Sequence, residues 1–298
     1  MTHSAATETT SRETFDRTLA SIRPKLHRYC ARMTGSVIDG EDMVQDTLIK
    51  ALEAFPTAGV ISNVEGWLFR IAHNTTLDFL RRRARQAQVH ADEDMQMIAD
   101  PSNAADNHAI VSASLRTFMR LPPAQRSSVI LMDVLGYSLE DMHDVMNTSI
   151  PAIKAALHRG RERLRTLADE PDDTPLPALA DAERNRLATY IERFNARDVD
   201  TLRTMLAEDV RLDLVAYRRI DGKPGVSNYF TNYARADDWH LTPGLVEGRP
   251  AALVSDPNNP SAPPAYFILL DWSADGLMTI RDFRYSQYAM DGAAFVTL

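Results

Sequence analysis

The sequence predicts a multidomain chain in which two all-α domains are followed by an α+β domain. Three observations carry this reading. From residue 13 to residue 168 apolar residues recur at helical spacing without convincing strand alternation, interrupted by an acidic, polar stretch at 89–110. A segment rich in proline and acid, 169–180, then breaks the pattern. Beyond it two helical stretches give way to alternating ones, the order of an α+β domain. A length of 298 residues suits two or three such domains, each with its own core.

Composition narrows the class. With 44% hydrophobic and 25% charged residues the chain reads as a soluble globular protein of the cytoplasm. It has no apolar run near the ~20 residues of a membrane span, so no membrane partner is expected. The opening MTHSAATETTSRETF lacks a basic region followed by an apolar core, which excludes a secretory signal and predicts a disordered tail. A single cysteine, Cys30, excludes an internal disulfide and a cysteine-based zinc site; within HRYCARM it reads as a half-buried, inert thiol. No metal and no cofactor is expected. Charge divides the chain: residues 1–169 carry 20 Lys/Arg and 21 Asp/Glu, net −1, and residues 170–298 carry 13 and 20, net −7. A polyanionic partner therefore belongs to the first half.

The first domain is expected over residues 13–88. Phe15, Leu19, Ile22, Leu26 and Tyr29 share one face of a helix, and Val44, Leu48, Leu52 and Phe55 share a face of a second, from about Asp39 to Phe55. The second helix is acidic, with Asp39, Glu41, Asp42, Asp46 and Glu53 against Lys50. PTAGVISNVEG is a loop by its Pro, Gly and Asn content. In WLFRIAHNTTLDFLRRRAR the spacing assigns Trp67, Leu68, Ile71 and Thr75 to a buried face, while Arg70, Arg81, Arg82, Arg83 and Arg85 with Asp78 leave +4. A basic cluster beside Asn74 suits single-stranded DNA, held by backbone charge and by its bases.

The second domain is expected over 111–168 and centres on SLEDMHDVMNTSIPAIKAALHRGRERLR. Ser138 and Asp141 form a capping-box pattern, and Leu139, Met142, Val145 and Met146 share the face that follows. Asn147 tolerates the left-handed conformation of a tight turn, and Thr148 and Ser149 are N-caps for a second helix with Pro151 in its first turn. Ile150, Ile153, Leu157 and Leu164 give that helix a buried stripe, and Lys154, His158, Arg161 and Arg165 lie off it. Five Lys/Arg against Glu162 make residues 154–165 +4 in a chain of net −8. This is the pattern of a helix-turn-helix whose second helix enters a major groove. An ordinary helical hairpin with a solvated basic face is the plainer alternative.

Two blocks together resemble the extracytoplasmic-function sigma factors of bacterial RNA polymerase. LPPAQRSSVILMDVLGYSLEDM and IKAALHRGRERL, between Leu121 and Leu164, resemble the family's fourth-region domain, which binds the minus-thirty-five promoter element. WLFRIAHN with the Arg81–Arg83 run resembles the second-region domain, which melts and reads the minus-ten element, and EDMVQDTLIKALEAF resembles the segment that docks on the polymerase clamp helices. The resemblance implies core RNA polymerase and promoter DNA as partners. It implies that Asp42, Gln45 and Asp46 meet the polymerase, and that the loop before Trp67 captures a flipped base near Asn74. On it, Arg70, Arg81, Arg82 and Arg83 with Ser149, Pro151, Ala152, Lys154, Ala155, His158, Arg159 and Arg161 face DNA, Ala152 and Ala155 being placed to tune base preference. Two departures stand out: His143 replaces a small residue, and Ala156 replaces a frequent Arg, which is expected to drop a DNA contact.

The remaining residues, 181–298, extend past a minimal member of that family. AERNRLATYIERFNARDVDTLRTMLAEDVRLDLV reads as two helices and a strand with Val210, Leu212 and Leu214 inward; PGVSNYFTNYA is a short helix. Strands are expected at 239–247, 251–255, 266–272 and 277–288 in a curved antiparallel sheet. YIERFNARDVDTLRTMLAEDVRLDL resembles the opening of the SnoaL-like, NTF2-like cone-shaped domains, a superfamily that includes ketosteroid isomerases. That resemblance implies an apolar pocket with one or two polar residues. Candidates are Asp213, His240, Asp271 and Asp282, walled by Tyr217, Tyr229, Tyr233 and Trp239, each with an ordinary structural role as its alternative. The expectation is a sigma factor without catalytic residues of its own, whose last domain modulates it through a small-molecule ligand or an intramolecular contact. An isomerase- or hydrolase-type enzyme and a ligand-sensing helix-turn-helix repressor are the rival readings.

Overall fold

The structure, a computed structural model, describes residues 2–59, 61–88, 114–168, 179–259 and 261–298. The joining segments expected at 89–110 and at 169–178, and the start of the second domain at 111–113, lie outside the described residues. The chain divides into two compact units, Met1–Asp172 and Asp173–Leu298.

In the first unit α1 (Thr2–Thr34) is followed by α2 (Val37–Ala54) and α3 (Val64–Gln88). α1 begins at Thr2, where a disordered tail was expected; no Gly or Pro precedes Pro24 to interrupt it. Ser36 caps α2 by accepting the Asp39 N–H at 3.0 Å. α1 and α2 cross so closely that a Cβ on Gly40 would lie 2.7 Å from the Ala31 backbone, so only glycine fits there. Leu26, Tyr29, Cys30, Met33, Val44, Leu68, Phe69 and Ala72 fill the core. The deep face of α3 is thus Leu68, Phe69, Ala72 and Thr76, whereas Trp67 and Ile71, predicted inward, are half-buried. Cys30 is fully buried, deeper than expected, and burial pushes its thiol up to about 12.

The helix-turn-helix part comprises α4 (Leu115–Met119), α5 (Pro123–Val129) running into a π turn at Ile130–Val134, α6 (Leu139–Met146) and α7 (Ile150–Ala168). One hydrophobic cluster runs without a break from Phe15 and Tyr29 to Ile130, Val145, Ile153 and Leu164, so the two helical parts share a core. Arg126, 4% exposed, sits where they meet: its guanidinium donates to the carbonyls of Met33 at 2.5 Å, Met119 at 3.0 Å and Leu121 at 2.8 Å. Three carbonyls compensate the buried charge only in part, and burial draws the Arg126 pKa down to about 10.

The second unit places α8 (Asp181–Asn195), α9 (Val199–Thr204) and α10 (Lys223–Ala234) with a seven-stranded sheet. Its strands are β1 (Leu206–Leu214), β2 (Arg218–Asp221), β3 (His240–Val246), β4 (Arg249–Ser255), β5 (Tyr266–Ser273), β6 (Gly276–Asp282) and β7 (Phe295–Thr297), in the order β2-β1-β6-β5-β4-β3-β7. Val210, Leu212 and Leu214 face inward as predicted. The sheet is not wholly antiparallel: β1 and β6 pair in parallel. α10 and four strands separate them in sequence, long enough for the chain to return in the same direction. The strand predicted over 277–288 stops at Asp282 and is followed by a short 3-10 turn, Gln287–Met290. Helices followed by this sheet give the second unit an α+β arrangement.

Candidate nucleic-acid interface

The helix-turn-helix is built as its sequence prescribes. Ser138 and Asp141 cap α6 reciprocally, Ser138 Oγ accepting the Asp141 N–H at 3.1 Å and the carboxylate accepting the Ser138 N–H at 3.2 Å. Asn147 takes the left-handed conformation, φ 51°, and Ser149 Oγ accepts the Ala152 N–H at 3.4 Å. His143 closes the turn through a 2.7 Å hydrogen bond from its Nδ1 to the Thr148 carbonyl, which accounts for a large polar residue there. Ile153, Leu157 and Leu164 bury the inner face of α7. Its outer face presents Ser149, Pro151, Ala152, Lys154, His158 and Arg159, all exposed, with Ala155 half-buried.

Arg161 and Ala156 sit apart from the exposed row of α7. Arg161 turns back to Asp133, whose carboxylate is 2% exposed, through Nε at 2.9 Å and Nη2 at 2.5 Å, and that bidentate pair takes it out of the DNA-facing row. Ala156, where a DNA contact was expected to be lost, is buried.

On α3, Arg70 and Asn74 are exposed on the same side, four residues apart. Of the arginine run, Arg81 pairs with Asp78 at 3.0 Å and Arg83 with Asp39 at 3.3 Å, while Arg82 is exposed. Ala58, Ile61, Ser62, Asn63, Gly66, Trp67 and Arg70 line a cavity of about 310 Å³, completed by Asp144 from α6. Asn63 Oδ1 accepts the Gly66 N–H at 2.9 Å and fixes the loop at the start of α3. A half-buried indole, a guanidinium and an amide around one opening are the groups that stack on and hydrogen-bond to an extruded base. On α2, Asp42, Gln45 and Asp46 are half-buried along one side, whereas Glu41 turns inward, 1% exposed, to pair with Arg23.

In the second unit the structure gathers four of the predicted pocket residues. Asp282 is fully buried and accepts hydrogen bonds from Tyr229 Oη at 3.0 Å, Tyr233 Oη at 2.7 Å and the Arg284 N–H at 2.8 Å. Burial holds its carboxyl above the usual carboxylate range, partly offset by those donors. Trp239 Nε1 donates to the Tyr233 carbonyl at 3.0 Å. Tyr266, which periodicity did not single out, adds its hydroxyl to that of Tyr233 at 3.1 Å. Phe194 packs 5.2 Å from both Tyr233 and Trp239, and the crevice these three share with Phe230 has no room for a water-sized body. Asp213, His240, Asp271 and Tyr217 lie elsewhere. Asp213 alternates to the face opposite Leu212 and pairs with Arg281 at 3.5 Å, and the other three are exposed. Among the described residues no cluster of His, Cys, Asp or Glu is disposed to hold a metal, and no helix is long and apolar enough to cross a membrane.

The comparisons with known proteins fall on these same segments. Residues 19–86 match Sigma-70 region 2, and residues 115–164 match Sigma-70, region 4. The ECF RNA polymerase sigma factor SigM of Mycobacterium tuberculosis is 30% identical over 156 residues, which cover 52% of this chain and 78% of that protein. SigG of the same organism, also an ECF RNA polymerase sigma factor, is 28% identical over 282 residues, 85% of this chain and 76% of its own length, so the likeness runs on into the second unit. The structure of a putative polyketide cyclase from Xanthomonas campestris pv. campestris is similar over 33% of this chain and 90% of its own, with 21% identity and a TM-score of 0.25. With both sigma regions in order and a helix-turn-helix formed residue by residue, the chain belongs to the extracytoplasmic-function RNA polymerase sigma factors.

Proposed function

We infer that this sigma factor docks on core RNA polymerase through Asp42, Gln45 and Asp46, reads the minus-thirty-five element with the outer face of α7, and takes a melted minus-ten base into the cavity beside Trp67, Arg70 and Asn74. The domain bounds that go with this reading are 13–88, 111–168 and 181–298. The observation that carries it is the two-sided character of α7: Ile153 and Leu157 anchor one side, while Lys154, His158 and Arg159 form an exposed, mostly basic row on the other. The second unit acts as a modulator and the chain catalyses no reaction of its own. The Sigma-70 region 2 match supports that over both an isomerase- or hydrolase-type enzyme and a ligand-sensing repressor. The test is run-off transcription with core polymerase on a promoter library. Initiation at a discrete set of sequences supports the reading; no initiation above core alone rejects it.

A further inference from the structure

Net charge assigns a polyanionic partner to the first half of the chain, but the surface of the second unit is uneven. Tyr217, in the turn between β1 and β2, and Tyr285, in the turn after β6, are 62% and 52% exposed. Their ring centres lie 4.8 Å apart, with the planes 31° from parallel. Two hydrogen bonds lock the turns together. The Val215 N–H donates to the Asp282 carbonyl at 3.0 Å, and the buried Ser286 Oγ donates to the Val215 carbonyl at 3.1 Å. Between them Ala216 holds the left-handed conformation, φ 66°, which a residue with a side chain adopts only where the turn is constrained. The two rings thus form a fixed platform that faces water.

The charges beside the platform are cationic. The Arg218 guanidinium lies 5.5 Å from the centre of the Tyr217 ring, and neither Arg218 nor Arg219 makes an ion pair among the described residues. Nearby acids are engaged: Asp213 with Arg281 at 3.5 Å, Asp221 with Arg211 at 3.8 Å and Asp238 with Arg284 at 3.3 Å. Arg219 and Asp221 alternate onto one face of β2 and line an open groove of about 550 Å³ with Asp209, Arg211 and Gly222. Of the acids on that groove only Asp209 makes no ion pair among the described residues. No large aliphatic side chain is exposed around the rings. The other exposed large apolar residues described in this unit, Phe295 and Leu298, lie with β7 at the opposite edge of the sheet from β2. A protein-binding hot spot is ringed by contacts that exclude water. Bare aromatic faces with guanidinium groups suit instead a flat, polar-edged ring on an anionic chain, which is a nucleobase on its phosphates. Bases are open to such a platform in single strands.

Resting on the sigma-factor reading above, which brings melted promoter DNA to this chain, we propose that the second unit binds single-stranded promoter DNA, a base stacking on the Tyr217–Tyr285 platform while the phosphates beside it meet Arg218 and Arg219. The contact is indifferent to sequence, because every base presents a stacking face. It gives the modulating role a physical form: the second unit holds a strand that the first has opened.

The test uses the full-length chain and fluorescent single-stranded DNA of mixed sequence carrying 5-iodouracil, which on irradiation bonds to an aromatic ring stacked against it. Mass spectrometry should find crosslinks on Tyr217 or Tyr285. Tyr217→Ala with Tyr285→Ala should weaken binding at least threefold. Arg218→Ala with Arg219→Ala should also weaken it, and should reduce the slope of log affinity against log salt by about 1.4. All four side chains are exposed, so both variants should melt with wild type; if one does not, the crosslink map and the other variant carry the test. Crosslinks confined to the first unit, with affinity unchanged in both variants, overturn the proposal. RNA of the same sequence binding at least threefold tighter overturns promoter DNA as the partner. Binding of polyglutamate that the tyrosine variant loses, with neither tyrosine crosslinked, assigns the surface to an acidic protein and overturns it as well. Run-off transcription by the wild-type holoenzyme keeps the two readings apart. Initiation without any contribution from the platform rejects the platform alone; no initiation rejects the sigma-factor reading and, with it, the promoter as the source of the strand.

Discussion

Arg161 and Asp133 form a two-point ion pair that ties the middle of the recognition helix to the π turn behind it. The carboxylate is nearly buried and the guanidinium about one-third exposed, so the pair is worth less than a wholly buried one. Arg161→Ala should cost about 1–2 kcal/mol, the scale of hydrogen bonds to a charged group, whereas Arg163→Ala at an exposed position should cost almost nothing. Urea unfolding of the two variants decides this. Matching midpoints would return Arg161 to the DNA-facing row.

Lys154 offers the opposite signature. It is exposed on the outer face of α7, so Lys154→Ala should leave stability alone, weaken binding to all duplexes by a similar factor, and reduce the slope of log affinity against log salt by about one. Substitutions at Ala152 should instead shift the selected sequence. An unaltered consensus from a promoter library would move the base-reading positions elsewhere on the helix.

The acidic side of α2 is predicted to meet a basic surface on polymerase. Asp42→Lys with Asp46→Lys should reduce co-purification with core polymerase at least tenfold while the far-ultraviolet circular dichroism stays as in wild type. Undiminished co-purification would remove α2 from the docking surface.

Residues 180–298 carry 17 Asp/Glu against 13 Lys/Arg and follow the basic recognition helix in sequence after a short tether. Ending the chain after Asp169 should change promoter-dependent transcription at least several-fold at matched concentrations, with the helical part still folded. Equal output from both forms would dismiss the modulating role.

Asp282 makes the second unit sensitive to pH. Its carboxyl is held above the unfolded value by burial, so between those two values the folded state keeps a proton that the unfolded chain has lost. Stability from this group is therefore greatest at and below the unfolded carboxylate range and falls as pH rises through the folded value. Asp282→Asn should flatten that dependence. Asp282→Ala should cost a few kcal/mol, because the Tyr229 and Tyr233 hydroxyls and the Arg284 N–H lose their acceptor. Chemical denaturation from pH 4 to 8 would expose either prediction as wrong if the three proteins ran parallel.

Local signals were legible in the sequence and long-range ones were not. Ser138, Asp141, Asn147 and Ser149 act through neighbours one to three residues away, and the structure uses each as its residue type predicts. Arg126 reads as a solvated charge in LPPAQR; what buries it is a carbonyl 93 residues distant. The edge strand β2 is RRID, too short and too charged to alternate, and β7 has three residues, so neither shows a period. The inward turn of Arg161 depends on Asp133, 28 residues back, which helical spacing does not register. In the second unit Tyr229, Tyr233, Trp239 and Asp282 were picked out through the resemblance to cone-shaped domains, as polar and aromatic residues suited to a pocket. Whether such groups line an opening or fill it depends on the bulk of Phe194 and Phe230 against them, a property of packing.

Cys30 is the chain's one thiol, and it sits at the centre of the shared helical core under the Thr76 hydroxyl. A thiol held near pKa 12 and sealed from solvent does not react with an alkylating agent while the core is closed. The chain thus carries a native reporter: the rate at which Cys30 is alkylated counts the openings of the first unit and is blind to those of the second. Loosening of the helical core by polymerase or promoter DNA can be timed by mass spectrometry on unmodified protein, with no label introduced.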